Sequence, residues 1–204
     1  FQSAGQRCSA LRVLYVQEDI YDPLVKMISG AMEELKIGDT VDITNDVGPV
    51  IDQAAKESLE AHIKNMSSLG FNLIATHHSS GSQSSGNFFY PHIIEINNIN
   101  DLKSENFGPI LHVCKYKEKN LDKVIDEINN YGYGLTFGLH TRIEKKIKDV
   151  SGKIKTGNMY VNRSTIGAQV ESHPFGGENK SGTGFKAGGP HYLMSFMTER
   201  PICK

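Results

Sequence analysis

Alternation between strand-like and helix-like segments is the feature that most restricts how this chain can fold. Short β-branched apolar runs predict strands, and segments with apolar residues three and four positions apart predict amphipathic helices. The expected strands cover residues 11–17, 71–76, 93–96, 110–116, 135–141 and 159–162. The expected helices cover residues 21–36, 53–69, 121–130 and 143–154. This alternation predicts an α/β domain with a mostly parallel sheet.

A different pattern occupies the last third of the chain. Residues 157–190 are dense in glycine with interleaved aromatic residues, which predicts ordered loops where backbones approach closely. Residues 192–198 (YLMSFMT) predict a strand that has no partner after it in the chain. An unpaired terminal strand is suited to pairing with another subunit, so we expect a homo-oligomer that uses it.

Charge and composition exclude several classes of function. The chain has 22 basic and 23 acidic residues, a net charge of −1, and this balance argues against a nucleic-acid partner. No apolar run approaches the roughly 18 residues of a membrane span, and no signal peptide is visible. The three cysteines form an odd, sparse set, which favours free thiols over a disulfide framework and predicts a cytoplasmic location.

Two adjacent histidines, His77 and His78, begin a serine-rich stretch at residues 77–87. They lack a set of further metal-ligating residues, so we expect no metal site. The stretch is too polar to build a core and predicts a surface loop or insertion. The later segment SGTGFKAGG fits neither a Walker motif nor a dinucleotide-binding fingerprint, and backbone packing is the expected role of its glycines.

The segment GQRC at residues 5–8 carries the strongest local signal for chemistry. Cys8 lies in a glycine-containing turn directly before the first expected strand, where backbone N–H groups can point at a substrate oxygen. Arg7 makes the surroundings electropositive, and both features favour the nucleophilic thiolate. The alternative is a small core residue, the usual role of a free cysteine. Cys114, in the middle of an expected strand, fits that role, and we expect Cys203 to be an inert tail residue.

Two more segments follow GQRC in order, ENFGP at residues 105–109 and PFGG at residues 174–177. With these three motifs, and with the spacing between Cys8 and Glu105, the chain resembles the aldehyde dehydrogenase superfamily over essentially its whole length. The resemblance implies the cysteine-bearing catalytic domain of that superfamily over residues 1–190. It also implies a terminal oligomerisation element over residues 191–204.

One branch of the superfamily is a closer match. The segments SAGQRCSALRVLYVQED, DVGPVID, GYGLTFGLHTRI, GNMYVNR and PFGGENKSGTGFKAGGP resemble the C-terminal dehydrogenase region of the bifunctional proline utilization A family of bacteria. This resemblance implies NAD-dependent oxidation of L-glutamate γ-semialdehyde to L-glutamate in proline catabolism. FAD would belong to the proline dehydrogenase part of such enzymes, which these residues do not include.

The resemblance also implies a nucleophile and a cofactor contact. Cys8 would attack the aldehyde carbon and form a thiohemiacetal and then a thioester. Glu105 would hydrogen-bond the nicotinamide ribose, because a carboxylate can accept from both ribose hydroxyls. Phe107 would pack beside the nicotinamide.

Substrate recognition is the remaining role that the resemblance implies. Ser9 would hydrogen-bond the α-carboxylate of the substrate. Gly167 and Ala168, small residues in one loop, would turn two backbone N–H groups toward the same carboxylate. Phe175 would pack against the aliphatic part of the substrate.

In the family, the general-base glutamate, an oxyanion-hole asparagine and most of the NAD-binding domain lie upstream of the cysteine. The chain begins at Phe1, so we expect it to be part of a longer enzyme, with little turnover on its own. Three alternatives stay open. They are an aldehyde dehydrogenase with another substrate, a cysteine hydrolase that pairs Cys8 with His173 or His191, and a non-catalytic assembly module.

Overall fold

The fold is known from a computed structural model that describes residues 1–78, 86–169, 171–182 and 184–202. The chain forms two compact units, Phe1–Glu127 and Ile128–Lys204. These units are defined by compactness, whereas the boundary expected at residue 190 separates a catalytic domain from an oligomerisation element. That boundary stays a prediction. The serine-rich residues 79–85 and Cys203 lie outside the described residues.

Within the described residues, the first unit contains a four-stranded sheet, two whole α-helices, the start of a third and short 3-10 helices. Its elements in chain order are β1 (Val13–Gln17), α1 (Glu18–Glu33), α2 (Gln53–Ser68), β2 (Leu73–Thr76), β3 (His92–Ile96) and β4 (Ile110–Tyr116). The strand order is β1-β4-β3-β2, with β1 and β3 both parallel to β4 and β2 antiparallel to β3. The predicted α/β class with a mostly parallel sheet is confirmed.

Central strand β4 is apolar along most of its length because both of its neighbours are parallel strands of a covered sheet. Val13 of β1 pairs with His112, and Ile94 of β3 pairs with the same residue from the other side. Val113 and Ile93 are fully buried at 0% exposure. The core between α1 and the sheet consists of Val16, Tyr21, Val25, Met32, Ile93, Leu111 and Val113.

Helix α1 begins earlier than the sequence predicts. The predicted start at residue 21 is wrong, because the helix begins at Glu18 and Pro23 lies inside it. Gln17 is extended and immediately precedes the helix, and the acidic Glu18 and Asp19 occupy the first turn, where the helix dipole favours negative charge. Proline lacks an N–H, so the hydrogen bond that this group would donate inside the helix is absent at Pro23.

Helix α2 has the start that its sequence predicts. Asp52 is extended at the N-cap, and its side chain accepts a hydrogen bond from the Ala55 N–H at 2.7 Å. Such a cap satisfies one of the N–H groups that the first helical turn leaves unpaired. Leu59 and Met66 are the buried residues of this helix.

Smaller elements make up the second unit. Helix α3 (Leu121–Tyr131) crosses from one unit into the next, and β5 (Tyr133–Gly134), β6 (Thr136–Leu139), α4 (Glu144–Ser151), β7 (Asn158–Val161) and β8 (Glu178–Asn179) follow. Strands β6 and β7 are parallel neighbours, as expected for strands joined by a helix. Strands β5 and β8 form an antiparallel pair of two residues each. Strands this short show no periodic pattern in the sequence.

The expected terminal strand at residues 192–198 is wrong in this structure. Tyr192–Phe196 forms a 3-10 helix, in which the Met194 N–H donates to the His191 carbonyl. These backbone groups are therefore paired locally and not with a neighbouring strand. Large apolar side chains of the segment stay exposed, including Leu193 and Phe196 at 75% and 74%.

Candidate active site

Cys8 lies in a tight turn at the surface of the first unit. The Ala10 N–H donates to the Arg7 carbonyl at 3.0 Å, which closes the turn around Cys8 and Ser9. Cys8 is exposed, and Ser9 is buried at 7% exposure. The alternative of an ordinary core cysteine therefore does not hold for Cys8. Residues 5–10 are called the cysteine loop below.

Gly5 explains why the cysteine loop begins with a glycine. Its φ of +66° lies in the left-handed region, and a Cβ there would collide with the Gly108 carbonyl. Gly108 belongs to the ENFGP motif, and a Cβ on it would in turn collide with Leu59 of α2. Two of the motifs found in the sequence thus touch through their backbones.

Arg12 connects the same two motifs through its side chain, although no sequence motif singles it out. Its guanidinium donates to the carbonyls of Gly5 and Arg7, the latter at 2.9 Å. The same group donates from Nε to Glu105 Oε1 at 3.1 Å. The nearest sequence signal is an arginine beside the predicted nucleophile with an unmatched acidic residue in a later motif.

The predicted cofactor residues lie on the Arg12 side of the cysteine loop. Phe107 is 43% exposed, and the Arg12 guanidinium carbon is 4.3 Å from the centre of its ring. Glu105 Oε1 is engaged by Arg12, whereas Oε2 accepts no hydrogen bond from any side chain or backbone group in the described ranges. An open carboxylate oxygen beside an exposed aromatic ring fits the ribose and nicotinamide end of a dinucleotide.

Two histidines lie behind the Arg12 backbone, His112 in contact with its carbonyl and His62 in contact with His112. His112 is 1% exposed, and both its backbone N–H and its Nδ1 lie 3.1 Å from the Arg12 carbonyl. His112 Nε2 lies 2.9 Å from His62 Nε2. Burial, reinforced by the nearby His62, lowers the pKa of His112 to about 4, and burial also lowers the pKa of His62. Neutral His112 with its proton on Nδ1 can donate to Arg12 and accept from His62.

Gly167 and Ala168, the predicted carboxylate anchor, lie in a loop of the second unit. Gly167 has a φ of +93°, is exposed, and has open space where a Cβ would project. Ala168 is half-buried. Within the residues that the structure describes, neither backbone N–H donates a hydrogen bond. Two unpaired amides in succession can receive an anion.

Phe175, the fourth predicted substrate residue, lies in the same unit and is half-buried. Its backbone pairs with Ala187, with N–H to carbonyl distances of 3.0 Å and 2.9 Å in the two directions. Asn158 of β7 fixes the adjacent chain, since its Nδ2 donates to the Pro174 carbonyl at 2.9 Å and its Oδ1 accepts from the Gly176 N–H. Phe175 is therefore held by backbone contacts on both sides.

Cys114 and His77 are both buried in the first unit. Cys114 is 0% exposed in β4, and burial raises the pKa of its thiol to about 12. His77 is buried, stacks on Tyr90, and places Nε2 2.8 Å from the Leu35 carbonyl. Among the described residues, no group of three or more His, Cys, Asp or Glu side chains is arranged to hold a metal ion.

The predicted site residues therefore divide between the two units. Cys8 and Glu105 are joined through Arg12 in the first unit, together with Ser9 and Phe107. The predicted substrate residues Gly167, Ala168 and Phe175 belong to the second unit. No helix within the described ranges is both long and apolar enough to span a membrane.

Comparison with known proteins gives consistent matches. A model of the aldehyde dehydrogenase family matches residues 1–202. The bifunctional protein PutA of Escherichia coli (strain K12) is 48% identical over 205 residues, covering 98% of this chain. The 1-pyrroline-5-carboxylate dehydrogenase of Geobacillus sp. (strain WCH70) is 34% identical over 204 residues, covering 99% of this chain.

Solved structures agree with these matches. A crystal structure of a mutant of proline utilization A (PutA) from Bradyrhizobium japonicum has a TM-score of 0.92 and 50% identity over 98% of this chain. That alignment covers 20% of the crystallised chain. The chain likewise spans 16% of the length of the Escherichia coli protein and 39% of the Geobacillus protein.

Proposed function

The chain belongs to the aldehyde dehydrogenase family, and we propose that it carries the nucleophile of an NAD-dependent L-glutamate γ-semialdehyde dehydrogenase. The observation that carries this proposal is the exposed Cys8, held in a turn whose carbonyls are bound by Arg12. The same arginine contacts Glu105, so a nucleophile and a carboxylate suited to a ribose share one anchor. Relatives named PutA and 1-pyrroline-5-carboxylate dehydrogenase support the choice of substrate.

The reaction begins at Cys8 in this proposal. Its thiolate attacks the aldehyde carbon, a C–S bond forms, and the carbonyl π electrons move to oxygen. Backbone N–H groups of the turn, that of Cys8 first, stabilise this oxyanion. When the C=O bond re-forms, a hydride leaves the carbon and a thioester remains on Cys8. Water then attacks the thioester, the C–S bond breaks, and glutamate leaves with the free thiol restored.

NAD, when bound, supplies the acceptor for that hydride. Within this chain we assign its ribose to Glu105, whose Oε2 is open, and its nicotinamide to the exposed Phe107. These residues could hold one end of the cofactor. The remainder of its binding site, and the general base, would come from residues outside this chain.

Substrate recognition is assigned to the residues that can meet a carboxylate. We propose that the backbone N–H groups of Gly167 and Ala168, which donate no hydrogen bond within the described residues, bind a carboxylate of the substrate. The proposal also keeps Ser9 as a substrate residue. Phe175 would cover the aliphatic carbons. This set distinguishes a semialdehyde that carries a carboxylate from simple aldehydes, because an anion site left empty gains nothing from an uncharged substrate.

The setting of the enzyme is part of the proposal. The balanced charge and sparse cysteines fit the cytoplasm. We propose a homo-oligomer built through residues 191–204, because the large apolar side chains at positions 192–194, 196, 197 and 202 are exposed. Because the general base would lie elsewhere, we expect the 204-residue chain alone to oxidise the aldehyde slowly.

The test is to trap the covalent intermediate in the complete gene product that carries this chain. Acid quenching during turnover with the semialdehyde and NAD, followed by peptide mass spectrometry, should find the acyl group on the peptide containing Cys8. Cys8→Ala should lose turnover by at least about 1,000-fold while still binding NAD. Cys114→Ala, which changes a buried thiol away from the site, is the matched control and should retain turnover.

The result that would overturn the proposal is wild-type oxidation by Cys8→Ala. Equal kcat/KM for the semialdehyde and for simple aldehydes would instead favour an aldehyde dehydrogenase of different substrate. Cleavage of peptides would favour a cysteine hydrolase.

A further inference from the structure

Arg12 uses three different nitrogens of one planar group on three acceptors. Nη1 donates to the Gly5 carbonyl and Nη2 donates to the Arg7 carbonyl. One planar group therefore holds two carbonyls of the backbone segment that leads to Cys8. Nε binds Glu105 Oε1. A guanidinium can satisfy this arrangement because its N–H donors have a rigid planar geometry, whereas a lysine ammonium is a single point charge.

The surroundings of Arg12 indicate more than a solvent-exposed ion pair. The Arg12 side chain is 17% exposed and lies against the face of Phe107. Exposed ion pairs contribute little because water screens them and their side chains are mobile. Here the guanidinium is largely covered and donates to backbone carbonyls as well as to the carboxylate, so its position is strongly restrained.

The backbone of Arg12 is fixed as well. His112 brings two nitrogens to 3.1 Å from the Arg12 carbonyl, and His112 itself is buried in the central strand. The Arg12 backbone is therefore held against β4, and its side chain extends toward the two motifs. A residue anchored in this way can restrict the movement of the cysteine loop.

We propose that Arg12 is a positioning residue that fixes the cysteine loop relative to Glu105. This inference rests on the proposed function for the roles of Cys8 and Glu105, and it adds the residue that sets their geometry. Without Arg12 the loop loses two carbonyl contacts and the carboxylate loses its partner. Glu105 then rotates away from the ribose, and Cys8 spends less time in the orientation that attacks an aldehyde.

The experiment compares Arg12→Lys and Arg12→Met in the complete gene product, with Arg142→Met as the matched control. Arg142 is exposed, so the control removes the same charge elsewhere. Three quantities are measured: the Kd of NAD by calorimetry, kcat and KM with the semialdehyde, and hydrogen exchange of residues 5–12 without NAD. Thermal unfolding checks that each variant is folded.

Positioning predicts that both Arg12 variants weaken NAD binding about 10-fold and lower kcat about 10- to 100-fold. It predicts faster exchange in the cysteine loop and unchanged exchange in β4, with no rescue by lysine. Arg142→Met should match the wild type in all three quantities. A merely structural role predicts less folded protein but a normal Kd and kcat per folded molecule.

A double-variant comparison separates this inference from the proposed function. Glu105→Gln alone should weaken NAD binding about 10-fold, and adding Arg12→Met should weaken it little further, because both changes remove one interaction. Normal NAD binding by Glu105→Gln would contradict the ribose assignment, and loop exchange would still report on Arg12. The inference is overturned if the folded variants show normal exchange and kcat, if the two NAD effects simply multiply, or if neither variant folds.

Discussion

His112 Nε2 and His62 Nε2 lie 2.9 Å apart in the interior of the first unit, between strand β4 and helix α2. Two protonated imidazoles could not occupy this geometry, since each nitrogen would be a donor and both rings would be charged. Burial, together with the charge repulsion that a protonated His62 would exert, lowers the pKa of His112 to about 4. The pair therefore makes the stability of the unit depend on pH.

Acid should destabilise the protein before its carboxylates titrate. In the unfolded chain His112 has an ordinary pKa near 6.5, so between about pH 6.5 and 4 the unfolded state binds the proton and the folded state does not. The stability that neutral His112 contributes is fully present above that pH window and is lost as the pH falls through it. The free energy of unfolding should fall by up to about 1.4 kcal/mol per pH unit for this proton as pH decreases.

Urea unfolding followed by circular dichroism at pH 7, 6 and 5 measures this effect. His112→Asn retains a side-chain N–H donor in place of Nδ1 but cannot titrate, and it should reduce the pH dependence by about one proton. Identical slopes for the variant and the wild type would show that His112 is not the group responsible.

Gly5→Ala should destabilise the first unit more than an ordinary left-handed glycine does. A residue with a Cβ is strained by about 1–2 kcal/mol at φ +66°, and here the Cβ also meets the Gly108 carbonyl. Gly70→Ala is the matched control, because Gly70 has φ +84° and open space around it. We expect the loss of unfolding free energy to be at least twice as large for Gly5→Ala. Equal losses would mean that the loop and the ENFGP motif move apart freely.

Iodoacetamide should label Cys8 and spare Cys114 in the folded protein. Cys8 is exposed, whereas Cys114 is fully buried with a thiol pKa of about 12, so very little Cys114 thiolate exists at pH 8. Peptide mass spectrometry should show Cys8 modified at least about 100-fold faster. Both should react at similar rates in guanidinium chloride. Rapid labelling of Cys114 without denaturant would mean that the sheet opens readily.

Ile93→Ala should lower the free energy of unfolding by about 3–4 kcal/mol. The side chain is 0% exposed in the core against α1, and its truncation leaves a cavity in a close-packed interior. Ile43→Ala makes the same chemical change at a residue that is 96% exposed and should shift stability by less than about 0.5 kcal/mol. Chemical denaturation of both variants provides the comparison, and similar losses at the two positions would argue against this core.

Periodicity predicts the regular elements well where burial is one-sided or complete. The apolar run at residues 110–116 predicts a strand with the same limits as β4, and the pattern at residues 53–69 predicts α2 to within a residue. Both patterns result from burial, which is why the sequence displays them. The start of α1 is missed because Asp22 and Pro23 have the composition of a helix start inside a helix.

Tertiary relationships are less accessible from the sequence. The apolar segment at residues 192–198 has the composition of a strand, but its backbone pairs locally in a 3-10 helix, and composition cannot distinguish these outcomes. Arg12 likewise carries no signal of its own, because its acceptors are two backbone carbonyls and a residue in a distant motif. The motifs predict which residues carry a function, and the fold shows the contacts that hold those residues in place.

Strand β1 lies beside β4, although nearly all of the first unit separates them along the chain. During synthesis on a ribosome, β1 and the neighbouring thiol therefore emerge long before the strand that pairs with them. Until β4 follows, Arg12 has neither the support of His112 nor Glu105 to bind. A nascent chain at this stage exposes a free thiol and an unpaired strand edge, so early protection by a chaperone should matter more for this protein than for one whose neighbouring strands are consecutive.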